Sequence, residues 1–211
     1  CTDSSNVAIF VPLYDKLLHE YPHLDLNIQS HHSSELYNML IEHNIDIGFV
    51  YHQLHYKNII SEKVLEENLY LVQSEYPSIP KPLVHTDELD PSKELYLSWD
   101  GNFPIWHDRW FSSVSRPHIS ADTIALLDRL WKSKDTWLIA PESAIRELAR
   151  YRRLYVSELK NPAPKRVCYK IKHKYPKVTS KHAVELFEEK LEEFFQEPQP
   201  VIPLGEVWNL K

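Results

Sequence analysis

Apolar residues recur at Val7, Phe10, Val11, Tyr14, Leu17, Leu18 and Tyr21, the three-and-four spacing of one helix face. Asp3, Ser4, Ser5 and Asn6 stand ahead of them as capping residues. Tyr21-Pro22 ends the helix, because the residue before a proline is driven out of the helical region. Pro12 lies inside the stripe and predicts a kink or a locally unpaired turn. The period then changes to two. Leu24, Leu26 and Ile28 alternate with Asp25, Asn27 and Gln29, which predicts a strand. A polar turn at 30–34 precedes a short helix over 35–42 with Leu36, Met39 and Leu40 on one face. The run IDIGFV at 45–50 reads as a buried strand. Helix, strand, helix, strand in this order predicts an α/β sheet of parallel strands.

Strands are expected over 59–64 and 68–73. Pro77, Pro80, Pro82 and Pro91 then mark a crossing between subdomains. A second α/β unit follows, with strands over 95–99, 118–120 and 137–140 and helices over 104–113, 122–132 and 141–149. Val167, Tyr169 and Ile171 alternate with Cys168, Lys170 and Lys172 as a strand. Thr179 and Ser180 are expected to cap a long amphipathic helix to Phe195, with Leu186, Phe187, Leu191 and Phe194 on its apolar face. The stretch 197–211, with three prolines, reads as an extended arm.

The 211 residues carry 24 Lys+Arg and 30 Asp+Glu, a net charge of −6, with 43% hydrophobic residues. This is a globular composition, and the acidic balance argues against this piece gripping a nucleic-acid backbone. The three glycines, Gly48, Gly101 and Gly205, exclude Gly-rich phosphate loops. Two cysteines, Cys1 and Cys168, exclude a disulfide framework and a Cys-rich zinc site, and point to a reducing compartment. No run approaches the roughly 20 apolar residues that span a bilayer, so no membrane partner is expected.

The ordered segments Phe10-Val11-Pro12-Leu13, 20–26 (EYPHLDL), Ser34-Glu35-Leu36 and 44–50 (NIDIGFV) resemble the effector-binding domain of LysR-type transcriptional regulators. So do 65–72 (LEENLYLV), 137–141 (WLIAP) and the final strand and helix. Ser133-Lys134-Asp135-Thr136 departs from the family's usual glycine pair, and the tail after Gln196 is longer. The resemblance implies an α/β fold of two Rossmann-like subdomains joined by crossing strands, like a type 2 periplasmic binding protein. Subdomain I would be 1–74 plus 172–211 and subdomain II 75–171. The first sheet strand and a helix-turn-helix domain would lie upstream of Cys1. A small effector would bind in the cleft between subdomains. The full-length regulator would act in the cytoplasm as a homodimer or tetramer on promoter DNA. Val11, Tyr14 and Leu18 would supply the dimer surface.

By this resemblance the effector-facing residues are Ser4 and Ser5 at the first helix start, His31, His32 and Ser33 in the turn after the second element, and Tyr51 and His52 after IDIGFV. In subdomain II they are Trp99, Asp100, Trp106, His107, Thr123, Pro141 and Glu142. Some have a structural alternative: capping for the serines and Thr123, solvation for His31, His32 and His52, core packing for Trp106 and His107. Arg146 could pair with a carboxylate, but reads first as a surface residue of its helix. Helix starts favour anions, so an organic anion is the expected effector. No G-x-S-x-G elbow, Cys-His signature or carboxylate pair points to an enzyme. His31-His32 and His52-x-x-His55 lack the spacing of a metal motif, so neither metal nor cofactor is expected. The alternative is a solute-binding lipoprotein of a transporter, because Cys1-Thr-Asp-Ser-Ser has the look of a mature lipoprotein start.

Overall fold

The structure, a computed structural model, describes residues 5–99, 101–111 and 117–210. A π-helical turn (Asn6–Phe10) leads into α1 (Val11–Glu20), followed by α2 (Ser33–Ile41), β1 (Ile47–Val50), β2 (Ile59–Glu67), β3 (Leu69–Ser74), β4 (Leu83–Val84), β5 (Leu95–Leu97), α3 (Phe103–Trp110), β6 (Ile119–Ala121), α4 (Ile124–Leu130), β7 (Trp137–Pro141), α5 (Glu142–Ala149), β8 (Leu154–Leu159), β9 (Arg166–His173), α6 (Lys181–Gln196) and β10 (Val207–Trp208). The chain divides into two compact units. The first is Cys1–Glu66 with Val167–Gln199, the second Glu67–Arg166 with Pro200–Lys211. The boundaries fall a few residues before those expected, and 200–211 lies with the second unit rather than the first.

In the first unit the sheet order is β1-β9-β2. Successive residues of β1 face opposite cores. Phe49 packs with Phe10, Leu13, Leu17, Leu191 and Phe194, its ring 4.1 Å from that of Phe10. Val50 packs with Leu36, Tyr37, Leu40 and Ile171 on the other side. A strand covered on both faces reads as an unbroken apolar run, which is why IGFV carries no polar alternation. Gly48 permits the close approach of β9, since a Cβ there would sit 3.0 Å from Ile171 Cγ1.

The kink expected at Pro12 takes the form of the π-turn. The Val11 N–H bonds five residues back, to Asn6 O, and Pro12 falls in the first turn of α1, where a missing N–H needs no helical partner. Three expectations are corrected. Residues 24–29 form no strand among the described residues, because no neighbouring strand lies alongside to bond their backbone. The sheet is not the expected parallel one. The ladder of β1 is with β9, antiparallel, Ile47 opposite Lys172, because β9 returns from the far end of the chain in the opposite direction. Ser180 precedes α6 without capping it, its hydroxyl donating instead to Asp46 Oδ1 at 2.6 Å.

In the second unit β10-β8-β3-β7 form an antiparallel path, with β4 added parallel to β8. A separate parallel pair, β5 and β6, joins it through a bridge between Glu94 and Trp137. All five residues of β7 are buried. The core runs from Leu71 and Val72 through Trp137, Leu138 and Ile139 to Val156. The far part of the expected extended arm docks on this unit. Val207 and Trp208 pair with Tyr155 and Leu154. Ile202, Leu204, Trp208 and Leu210 pack on the core. Among the described residues no helix is long and apolar enough to cross a membrane.

Candidate functional site

Two helix starts and the end of β1 gather polar side chains in the first unit. Ser5, fully buried, donates to Tyr51 Oη at 2.8 Å. The Tyr51 N–H in turn donates to Oγ of Ser33, the first residue of α2, at 3.3 Å. Asn6 Nδ2 donates to Ser30 Oγ at 2.9 Å and to the Gln29 carbonyl at 3.3 Å, while its Oδ1 accepts from the Tyr14 hydroxyl at 3.0 Å. Burial raises Tyr14 well above the usual phenol range, so that hydroxyl stays a donor. His31 Nε2 lies 3.2 Å from Gln29 Oε1, and its Nδ1 lies 3.5 Å from Glu35 Oε2. The same Glu35 oxygen accepts the His32 N–H at 3.1 Å. The result is two adjoining bonded groups of hydroxyl, amide and imidazole side chains, neighbours in sequence at Ser5-Asn6 and His32-Ser33, with one carboxylate at their edge.

Ser5, Ser33 and Tyr51 are joined by these bonds, and His31 and His32 stand next to Ser33. His52 is exposed beside them. Ser4 lies outside the described residues. Asn6 and Gln29 also belong to the patch, although the sequence offered Asn6 only as a cap and Gln29 only as a strand residue. Next to the patch a groove of about 290 Å³ runs between 24–29 on one side and 44–47 with Phe49 on the other. Tyr14, Leu36, Val184 and Phe187 close it.

The residues expected in the second unit are placed differently. Trp99 is 1% exposed and donates from Nε1 to the Ile139 carbonyl at 2.6 Å. His107 is buried, its Nε2 2.8 and 2.9 Å from the two oxygens of buried Glu94. The rings of Tyr96, Phe103 and Phe111 surround it. Burial raises Glu94, against the opposing pull of His107. Trp106 packs against Phe103 and Phe111. Thr123 caps α4 by accepting the Leu126 N–H at 3.3 Å. Asp100 lies outside the described residues. At the start of α5, after buried Pro141, the Ser143 N–H donates to Glu67 Oε1 at 2.7 Å. The dipole end of that helix thus already holds a carboxylate of the chain itself. Burial raises Glu67, while the Arg166 charge and the Ser143 bonds draw it down. No group of three or more metal-ligating side chains occurs among the described residues.

A two-unit α/β fold with a polar patch at helix starts is that of a small-molecule binding domain. The LysR substrate binding domain family matches residues 1–193, and the chain belongs to it. The chain is similar in fold to the reduced OxyR regulatory domain of Pseudomonas aeruginosa, at 14% identity over 93% of this chain and 94% of that one, TM-score 0.70. It is similar also to the regulatory domain of MexT, a transcriptional activator in the same organism, at 15% identity over 92% and 96%, TM-score 0.74. A full-length OxyR variant from Pseudomonas aeruginosa matches at 13% identity over 90% of this chain and 64% of that one, TM-score 0.69. No curated protein sequence matches this chain.

Proposed function

We propose that this domain senses a small organic anion for a LysR-type transcription regulator, through the patch of Ser5, His31, His32, Ser33 and Tyr51. The family match over 1–193 carries the sensing role. The chemistry of the patch supports the anion: α2 begins at Ser33, directly after the two histidines, and a helix start favours negative charge. The effector acts by population shift, favouring the arrangement it binds best and so changing how protomers assemble. DNA is contacted by a helix-turn-helix domain outside this sequence, which agrees with the net charge of −6 here. Protomers dimerise in the cytoplasm through α1, where Val11 and Leu18 are 46% and 48% exposed. Tyr14, named with them as a dimer residue, turns into the groove instead. The domain performs no catalysis and uses no metal or cofactor.

A thermal-shift screen of carboxylates, amino acids and divalent metal ions tests this. At least one carboxylate is expected to raise Tm, and Tyr51→Phe with Ser33→Ala to weaken its binding about tenfold, the loss of one or two hydrogen bonds to a charged ligand. Stabilisation by metal ions and by no anion would overturn the reading.

A further inference from the structure

The polypeptide passes between the two units at three places, after Glu66, after Arg166 and after Gln199. All three lead to one turn of one helix. At the first, Glu67 Oε1 accepts the Ser143 N–H at 2.7 Å. Asn68 donates from Nδ2 to Glu142 Oε1 at 3.0 Å, and its carbonyl accepts the Glu142 N–H at 3.2 Å. At the second, Arg166 Nη1 stands 4.0 Å from Glu67 Oε2. At the third, the Pro200 carbonyl accepts from Arg146 Nε at 3.0 Å, and the same guanidinium donates from Nη2 to Glu142 Oε2 at 3.1 Å. Arg146 is thus a half-buried residue with both of these partners. Its planar fork holds the tail with one nitrogen and the carboxylate that grips Asn68 with another.

The tail is then fixed along its length. The Gly205 N–H donates to the Val156 carbonyl, and the Leu210 N–H to that of Ala149, the last residue of α5, both at 2.8 Å. Gly205 has φ +77°, and a Cβ there would meet Pro82 Cβ at 2.8 Å, so the turn of the tail accepts glycine alone. The tail therefore touches α5 twice, at the Arg146 side chain and at the Ala149 carbonyl.

We propose that the first turn of α5 is the common anchor of the three connections, and that Arg146 is a positioning residue coupling the docked 200–211 strap to the crossing at Glu67 and Asn68. Docking of the strap then governs how firmly that crossing is held. This inference does not depend on which effector binds.

Hydrogen exchange followed residue by residue tests it, on the intact chain, on Arg146→Met and on a chain ending at Gln199. Arg146→Met is expected to speed exchange of the Asn68 and Ser143 amides at least tenfold. The amides of Leu138 and Ala140 in β7 should change less than twofold. The shortened chain is expected to do the same if it folds, and Arg146→Met serves alone if it does not. Unchanged exchange at Asn68 and Ser143 overturns the coupling. A rise of equal size in β7 overturns it too, because it would report a general loss of stability.

Discussion

Lys170 is 5% exposed on β9, yet it carries a full ammonium group. Two carboxylates make this tolerable, Glu62 at 2.8 Å and Glu188, which also holds Lys172 at 2.7 Å. Burial pulls Lys170 down, but the bonds to Glu188 and Glu62 outweigh it and raise it overall. Burial likewise pushes Glu188 up, and the two lysines more than reverse this, holding it below the ordinary glutamate value of 4.5. The sign of the pH dependence follows. A carboxylate depressed in the folded state stabilises the fold above its unfolded pKa and loses that contribution as pH falls through its folded one. Glu188→Gln is expected to lower stability at pH 7 by about 1–3 kcal/mol, between the values for exposed and buried pairs. The difference from the parent should shrink as pH falls below 4.5, as measured by urea unfolding across pH. A constant difference down to pH 3 would show that the glutamate acts by packing alone.

At the scale of elements, the groove of the first unit is bounded by two extended stretches. Residues 24–29 have strand alternation and no ladder, and β1 bonds β9 along one edge. Leu36 closes the groove from the side of α2, Phe187 from that of α6. An occupant between them would meet Leu36 on one side and Phe187 on the other, so an apolar strand suits those two walls. A six-residue Val/Ile peptide with flanking lysines, supplied in trans, is expected to raise Tm in a saturable manner, as strand addition does. A scrambled peptide with polar residues at alternate positions should not, and equal effects of the two would defeat the idea.

The same region shows what could be read from sequence. The alternation of Leu24, Leu26 and Ile28 was legible, because a side-chain period is local. The missing partner was not, because pairing is decided by chain far away. Likewise IDIGFV and WLIAP announced buried strands by their apolar runs. The docking of Val207 and Trp208 on β8 was hidden behind three prolines. Of the patch, Ser5, Ser33 and Tyr51 could be found from helix starts and a strand end. The core roles of Trp99 and His107 depend on contacts with Ile139 and Glu94 that no local pattern encodes.

At the scale of the whole molecule, the aromatic residues are divided unevenly. All six tryptophans, Trp99, Trp106, Trp110, Trp131, Trp137 and Trp208, lie in the second unit. The longest helix, α6 with 16 residues, lies in the first, together with α1 and α2. Tryptophan fluorescence therefore reports the second unit, while far-UV circular dichroism is weighted toward the first. Each unit has a core of its own, and cores that share few residues unfold with separate stabilities. Glu188→Gln, in the first unit, is expected to lower the urea midpoint seen by circular dichroism and leave the fluorescence midpoint in place. His107→Ala should do the reverse. It leaves Glu94 buried without its partner, a change that costs about 3–5 kcal/mol for a buried pair. The opposite sign of pH dependence separates the two sites further. Glu94 is raised by burial, so the second unit loses stability as pH climbs from 4.5 through the folded value, over a range where Glu188 is already charged and stabilising. If either variant moves both midpoints together, the two units unfold as one, and the three connections carry far more coupling than separate cores imply.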